Sequence, residues 1–278
     1  LRISGTTTNR NYFGRAMVTY NTGTLPSGWG YMVSGSYRGG NGRTWLVPSV
    51  EGMVYQSYGI SAAVEYKASP YFTTNLMGIF SYNNRGKSAP LTQEAISLGG
   101  HNYNPNWGFQ GDHIRNSKMK RISEPLFVLS NTYHKGDTKI ALHLGYQFGQ
   151  VGDTRIQYVK SQNPDPSYYT NMPTYFYNMY DQETGEGDPF AWDKAARQID
   201  YFKANKQLNW DALYLTNSHT GGESMFSLNE DIIDTKTLTG NLLATTKIDP
   251  NITLNAGASF QRIGTENFQQ INDLLGGQ

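Results

Sequence analysis

The stretch that decides the fold is Tyr58-Gly59-Ile60-Ser61-Ala62-Ala63-Val64-Glu65-Tyr66. Its even-numbered residues are mostly apolar, and its odd-numbered residues are small or polar. Because successive side chains of a β-strand point to opposite faces, this alternation predicts a strand with one apolar and one polar face. A strand that crosses a bilayer at a tilt needs roughly 9–11 residues, whereas soluble strands average about 5–6. The length of the alternation therefore favours a membrane-spanning strand.

The same alternation recurs along the chain. It is clear at residues 29–38, 138–148 and 252–261, is looser at 72–82, and is weaker at 15–21, 126–133 and 234–247. Aromatic residues stand at the ends of the apolar series, as Trp29 and Tyr37 do. Amphipathic rings favour the two membrane–water boundaries, so this placement is typical of a membrane barrel. The sequence predicts about eight membrane-spanning strands.

The connections between these strands alternate between short and long. Short links lie at residues 22–28, 67–71, 134–137 and 248–251, and long links lie at 39–52, 83–123 and 149–233. Short turns on the periplasmic side and long extracellular loops are typical of outer-membrane barrels. Residues 190–215 carry apolar side chains at near-helical spacing, which predicts one or two short helices in the longest loop. We therefore predict an all-β fold, an antiparallel transmembrane β-barrel with short helices in its loops.

Composition excludes several other classes of protein. The chain has no cysteine, a formal net charge of +1 and no apolar run of the roughly 20 residues that a membrane helix needs. The balanced charge gives no indication of nucleic-acid binding. The sequence contains no nucleophile elbow, no phosphate-binding glycine loop and no HExxH motif. We expect no enzymatic activity and no cofactor.

Several loop segments resemble those of TonB-dependent outer-membrane receptors. The segments that carry the resemblance are Gln93-Glu94-Ala95, His101-Asn102-Tyr103-Asn104-Pro105-Asn106-Trp107-Gly108-Phe109, Gln198-Ile199-Asp200, Asn209-Trp210-Asp211-Ala212-Leu213-Tyr214 and the opening from Asn11-Tyr12 to Gly28-Trp29. The resemblance spans most of the chain and implies a 22-stranded barrel filled by an N-terminal plug domain. It also implies nutrient uptake energised by the inner-membrane TonB complex.

The same resemblance sets expectations for domain organisation and partners. We expect residues 1–278 to be part of one barrel domain, about a third of its wall, with the plug domain and the remaining strands outside this chain. Expected partners are outer-membrane lipid, the TonB complex through those other parts, and a surface lipoprotein. Two alternatives stay open. One is a receptor-like scaffold for surface lipoproteins or a secretion complex, and the other is a self-contained eight-stranded barrel acting as an enzyme or adhesin.

Two sets of side chains are candidate ligand contacts. The polar faces of the predicted strands carry charged or titratable residues that would face the lumen: Arg15, Arg38, Glu65, Lys139 and His143. These contact cargo or a plug, or they are simply the polar wall of a wet barrel. The long loops carry aromatic residues that either form a ligand-binding rim or pack the loops together: Tyr103, Trp107, Phe109, Tyr168, Tyr169, Tyr175, Tyr177 and Trp192.

Two weaker patterns concern metal ions. His101, Asp112 and His113 lie in one loop, but they lack the fixed spacing of a helical or hairpin metal site. The acidic run at residues 181–188 offers oxygen ligands without the spacing of an EF-hand. We therefore predict no metal site.

Overall fold

The computed structural model of the protein describes residues 1–8, 12–40, 50–179, 185–219, 221 and 223–278. These residues form twelve strands, four α-helices and a short 3-10 turn at Tyr169–Asn171. The strands are β1 (Arg2–Thr7), β2 (Gly14–Thr24), β3 (Trp29–Gly40), β4 (Tyr55–Ser69), β5 (Phe72–Gly86), β6 (Trp107–Gln110), β7 (His113–Asn116), β8 (Met119–Ser123), β9 (Leu126–Lys135), β10 (Thr138–Tyr158), β11 (Phe226–Asp249) and β12 (Ile252–Asp273). The helices are α1 (Gln93–Gly99), α2 (Pro173–Tyr177), α3 (Ala191–Ala204) and α4 (Trp210–His219).

The main sheet is antiparallel and follows the order of the chain. β8 and β9 occupy one strand position, because both pair with β5 on one side and β10 on the other. The break between them falls at Pro125, which has no amide hydrogen for the ladder. All eight predicted strands are present, and the predicted all-β antiparallel fold is confirmed. The sequence pattern does not predict β1, β8 or the separate hairpin of β6 and β7.

The register aligns the apolar series of neighbouring strands on one face. Val33 lies opposite Ala62, Ala62 opposite Gly78, and Gly78 opposite Phe127. Val33 leaves 54% of its surface exposed and Ile60 leaves 56%. A continuous exposed apolar face of this extent is incompatible with water as its only solvent. It is the face that lipid would cover.

Aromatic rings border this apolar face at both ends. Trp29 stacks on Tyr66 with ring centroids 4.4 Å apart, and Tyr37 contacts Tyr58 at 5.2 Å. The eight residue-to-residue steps from Trp29 to Tyr37 extend over about 26 Å of strand, which a tilt of ~40° projects to roughly 20 Å. That height is close to the ~25 Å apolar band of outer-membrane barrels. The two aromatic rows therefore lie where the membrane–water boundaries would be.

Tight turns join the strands at one end of the sheet, which we call the turn end. They follow Thr24, Ser69, Lys135 and Asp249, as predicted. Gly28 in the first turn adopts φ +84°, and a Cβ there would lie 2.8 Å from the carbonyl oxygen of Lys67. Only glycine satisfies both the dihedral angle and the close approach.

The opposite end carries the cap, defined as the described residues of 87–118 and 159–225. It contains α1 to α4 and the β6–β7 hairpin, so the prediction of short helices within 190–215 is confirmed by α3 and α4. β10, β11 and β12 have 21, 24 and 22 residues, about twice the length needed to cross a bilayer. Their outer halves support the cap. Within the described residues, no helix combines the length and apolar character needed to span a membrane.

Two apolar clusters hold the cap together. One packs α4 and the residues after β12 against the start of β11, through Leu208, Trp210, Leu213, Phe226, Leu228 and Leu275. The other joins α1, α3 and the segment before α2 through Ala95, Tyr103, Met172 and Phe202. The cap is therefore a packed structure with its own small cores.

The assignment of faces predicts opposite effects for one charge placed on either side of the sheet. Val33→Arg puts a guanidinium on the apolar face midway between the aromatic rows and should lower the unfolding free energy in lipid vesicles by about 2–4 kcal/mol. Ser61→Arg, on the neighbouring strand and the opposite face, should cost less than about 1 kcal/mol. Denaturant unfolding of the full-length protein in vesicles measures both. Equal losses would contradict the assignment.

Candidate functional site

A cavity with a volume of about 740 Å³ lies in the cap. Its walls come from the segment before and within α1 and from residues 165–179. Three tyrosine rings, two carboxylates, two methionines and several hydroxyl groups line it, with no lysine or arginine among them. A concave site with aromatic walls and a few polar groups is typical of small-molecule binding.

Glu94 is held at one wall by two short helices. Thr92 caps α1 by accepting a hydrogen bond from the backbone amide of Ala95 at 3.2 Å. Glu94, in the first turn of α1, accepts a hydrogen bond from the amide of Thr174 at 2.9 Å, near the start of α2. The N-terminal ends of both helices present unpaired amides that attract a carboxylate. These contacts orient the Glu94 side chain at the cavity wall.

Asp165 organises the turn that carries the tyrosines. Its Oδ1 atom accepts hydrogen bonds from the amide and the hydroxyl of Ser167, both at 2.8 Å. Its backbone carbonyl accepts bonds from the amide of Tyr168 and the side-chain amide of Asn171, both at 3.0 Å. Side-chain to backbone bonds of this type fix the conformation of a loop without help from a sheet.

Three of the predicted rim residues meet in this cavity. The ring centroids of Tyr168 and Tyr169 are 4.7 Å apart, and those of Tyr169 and Tyr175 are 5.7 Å apart. Tyr169 is 61% exposed and Tyr175 is 37% exposed. Desolvation and the neighbouring Tyr169 raise the pKa of the Tyr168 hydroxyl. The cluster offers ring faces and hydroxyl groups to a ligand.

Two other predicted rim residues are packed inside the cap. Tyr103 is buried with its ring edge-on to Phe202 at 5.6 Å, and its hydroxyl donates to the carbonyl of Lys206 at 2.7 Å. Burial raises the pKa of Tyr103 above its ordinary value. Trp107 is fully buried and contacts Phe109 edge-on at 5.4 Å. Tyr103 and Trp107 therefore hold the cap together rather than line a surface.

The remaining predicted aromatics lie outside the cavity wall. Tyr177 and Trp192 form an edge-to-face pair with centroids 4.7 Å apart. Trp192 is 76% exposed, and Phe109 is 43% exposed on the β6–β7 hairpin. The contributions of Glu94, Asp165 and Met172 to the cavity were not predicted, although Glu94 belongs to a segment that the family resemblance marks.

The five polar residues predicted for the lumen lie on the face opposite the exposed apolar series. Arg15 is directly opposite Arg38. Glu65 accepts a hydrogen bond from the hydroxyl of Thr24 at 3.2 Å, and His143 Nδ1 bonds the hydroxyl of Ser130 at 2.9 Å. Lys139 is exposed near the turn end, opposite His134 and Thr245.

The described residues contain no group of three histidine, cysteine or acidic side chains placed to hold a metal ion. Of the acidic run at residues 181–188, positions 181–184 lie outside the described residues. Asp188 bonds Lys194, and this hydrogen bond with that from the amide of Phe190 lowers the pKa of Asp188.

No protein-family model and no curated protein matches the sequence. Among solved structures, the siderophore receptor PiuA from Acinetobacter baumannii is similar over 95% of this chain and 30% of its own, at 13% identity and a TM-score of 0.49. A Pseudomonas aeruginosa FadL homologue is similar over 88% of this chain and 47% of its own, at 11% identity and a TM-score of 0.29. The chain thus spans less than half the length of either protein.

An outer-membrane location follows from the sheet itself. Its apolar face is exposed, aromatic rows border that face, and the backbone pairs strand to strand across it. Closed antiparallel sheets are the only β-structures that satisfy backbone groups in lipid, and outer membranes are where they occur. The protein is an outer-membrane protein.

The cap is tied to the end of β12 by a partly buried ion pair. Arg115 contacts Asp273 at 2.7 Å, and Tyr214 donates a hydrogen bond to the same carboxylate oxygen at 2.7 Å. The guanidinium also lies 4.1 Å from the ring centre of Trp210, at the start of α4. Desolvation tends to raise the pKa of Asp273, but the bonds from Tyr214, Arg115 and the amide of Leu275 together lower it.

This ion pair predicts an acid-sensitive cap. Because the folded pKa of Asp273 is below its ordinary value of 3.8, its stabilising effect is complete above that pH and is lost as pH falls through the lower folded value. Asp273→Asn should increase opening of α4 about fivefold at pH 7, equivalent to about 1 kcal/mol, and remove this pH dependence. Hydrogen exchange of the α4 amides, corrected for intrinsic exchange rates, measures the opening of this helix as a function of pH. Asp200→Asn, an exposed change on α3, is the control and should leave α4 unchanged.

Proposed function

We propose that this chain is part of an outer-membrane receptor that captures a nutrient in the cap and passes it into the barrel, driven by the TonB complex. The observation that carries the proposal is the tyrosine-lined cavity of about 740 Å³ at the cap end of a lipid-facing sheet. Ligand cavities usually have volumes of about 300–1,000 Å³. The cavity is therefore large enough for a nutrient.

The chemistry of the cavity supports ligand capture. Tyrosine rings provide a large contact area at low entropic cost, and their hydroxyls provide hydrogen bonds. Glu94 and Asp165 each use one carboxylate oxygen within the cap, and the second oxygen of each has no hydrogen-bond partner among the described residues. Glycans, peptides, siderophores and vitamins all present groups that such walls contact.

The free edge of β12 supports a larger barrel. β12 has 22 residues, pairs with β11 on one side and has no partner among the described residues on the other. Lipid offers no hydrogen bonds to an open edge, so a strand of this length requires a neighbour. We propose that further strands complete the wall, and that a plug domain and the contact to TonB belong to the same receptor.

A second candidate function is a scaffold for a surface lipoprotein. It is favoured by the exposed aromatic residues Phe190 and Trp192, which are 61% and 76% exposed at the start of α3. Exposed aromatic residues are enriched at protein interfaces. In this case the cap surface, and not the cavity, would be the functional element.

Separate variants distinguish the two functions. We expect Tyr169→Ala with Tyr175→Ala to reduce uptake at least about tenfold, because both rings line the cavity and a large contact area is lost. Uptake by cells is measured with labelled ferric siderophore, oligosaccharide, oligopeptide and cobalamin, and collapse of the proton gradient should abolish it. Trp192→Ala is the matched control, with normal uptake expected.

The scaffold function gives the reverse pattern. Trp192→Ala would then reduce co-purification of a surface lipoprotein, while the two tyrosine substitutions would leave it intact. Uptake that survives collapse of the proton gradient would contradict the role of TonB. Uptake that survives loss of both tyrosines would contradict the cavity as the capture site.

A further inference from the structure

Two arginines face each other across neighbouring strands on the lumen face. Arg15 on β2 is the register partner of Arg38 on β3, and both side chains are half-buried. Like charges directly opposite each other in an antiparallel pair destabilise the sheet. Arg38 follows Tyr37, which belongs to the aromatic row nearer the cap. The pair therefore lies at the cap end of the lumen face.

Within the part of the chain that the structure describes, neither guanidinium has an acidic partner. The salt bridges of the described residues include neither arginine. The Nε atoms of both are buried without a hydrogen-bond partner. An Nη atom of Arg15 donates a hydrogen bond to the sulfur of Met17 at 3.0 Å, and the Arg38 guanidinium lies 5.9 Å from the ring centre of Tyr12. Buried donors without partners are rare and call for a ligand or ion to complete them.

The residues next to the pair add no negative charge. The row that contains Arg15 and Arg38 continues across the sheet to Ser57 and Asn83. Arg85, one position further toward the cap on the same face, is opposite Tyr55 and Lys120 and has no hydrogen bond or ion pair among the described residues. This side of the wall carries uncompensated positive charge.

The other side of the same face is balanced. The carboxylate of Asp153 on β10 accepts a hydrogen bond from the ammonium group of Lys87 at 2.8 Å and lies 3.8 Å from that of Lys120. Arg155 and Asp231 form a further pair at 2.8 Å. Acidic residues thus accompany the basic ones on β10 and β11, whereas β2 and β3 lack them. A lumen wall that only needs to be polar would not place acidic partners on β10 and β11 and none on β2 and β3.

We propose that Arg15 and Arg38 form a binding site for the carboxylate or phosphate group of an anionic ligand that enters the lumen from the cap end. Guanidinium groups bind these oxyanions through paired N–H···O bonds, and partial burial strengthens the attraction. A bound anion removes the repulsion within the pair and provides acceptors for the buried Nε atoms. The site is separate from the tyrosine cavity and does not depend on its function.

The test uses the full-length protein in detergent and two probes, citrate and inorganic phosphate, against chloride at equal ionic strength. Calorimetry measures binding, and thermal unfolding measures the stabilisation that binding produces. The variants are the double substitution Arg15→Gln with Arg38→Gln, the conservative double substitution to lysine, and Lys139→Gln. Lys139 is the matched control, because it is a cation on the same face near the turn end.

We expect the wild type and the Lys139→Gln variant to bind citrate or phosphate alike. The glutamine double variant should bind at least about tenfold more weakly, since it loses charge-assisted hydrogen bonds. The lysine variant should be intermediate, because it keeps the charges without the guanidinium geometry. In chloride alone, the glutamine variant should melt at a higher temperature than the wild type, because the repulsion is gone.

Three results would overturn the proposal. The first is an absence of citrate and phosphate binding by the wild type, a measurement that needs no variant to fold. The second is equal binding by the wild type and the glutamine variant, which would assign the effect to salt in general. The third is a lower melting temperature of the glutamine variant in chloride, with no anion effect on the wild type. That outcome would mean that an acidic residue of another protein segment already occupies the pair.

Discussion

The structure depends on backbone hydrogen bonds between neighbouring strands in the part of the sheet whose apolar face is covered by lipid. Lipid offers neither donors nor acceptors, so each amide in the membrane must pair with a neighbouring strand. β10 meets this demand along its whole length, since every residue from Thr138 to Tyr158 pairs with β11 without a register shift. An unbroken register preserves the alternation of faces from the turn end to the cap. The lipid face and the polar face of these strands follow from that continuity.

Where lipid imposes the pattern, the sequence was sufficient to predict the structure. The eight strands were found because alternate residues there must be apolar. The sequence pattern assigns the outer halves of β10 and β11 to loops, because above the membrane alternate residues need not be apolar. Glu230, for example, is 3% exposed within β11 and is bonded by Arg121 from a distant strand. Its burial depends on a partner that no local pattern identifies.

The cap shows the same limit for single residues. Composition indicates that the loop aromatics matter, but it does not separate packing residues from exposed ones. Tyr103 is buried because its hydroxyl meets the carbonyl of Lys206, 103 residues away in the chain. Among the described residues, Tyr169 has no partner at such a distance along the chain, and it stays at the surface. α3 was predicted by its spacing, whereas α1 has only seven residues, too few to show a helical period.

The links between the cap and the end of β12 bear on the order in which the molecule folds. Arg115 and Asp273 are separated by 158 residues, and the side chain of Asn217 donates hydrogen bonds to the carbonyls of Leu274 and Leu275. Contacts between such distant parts of a chain form late, because their loop-closure entropy has to be overcome first. The cap can thus complete its packing only after β12 is in place. Until then the contacts of Arg115 and Asn217 with the end of β12 remain unmade while the earlier strands pair.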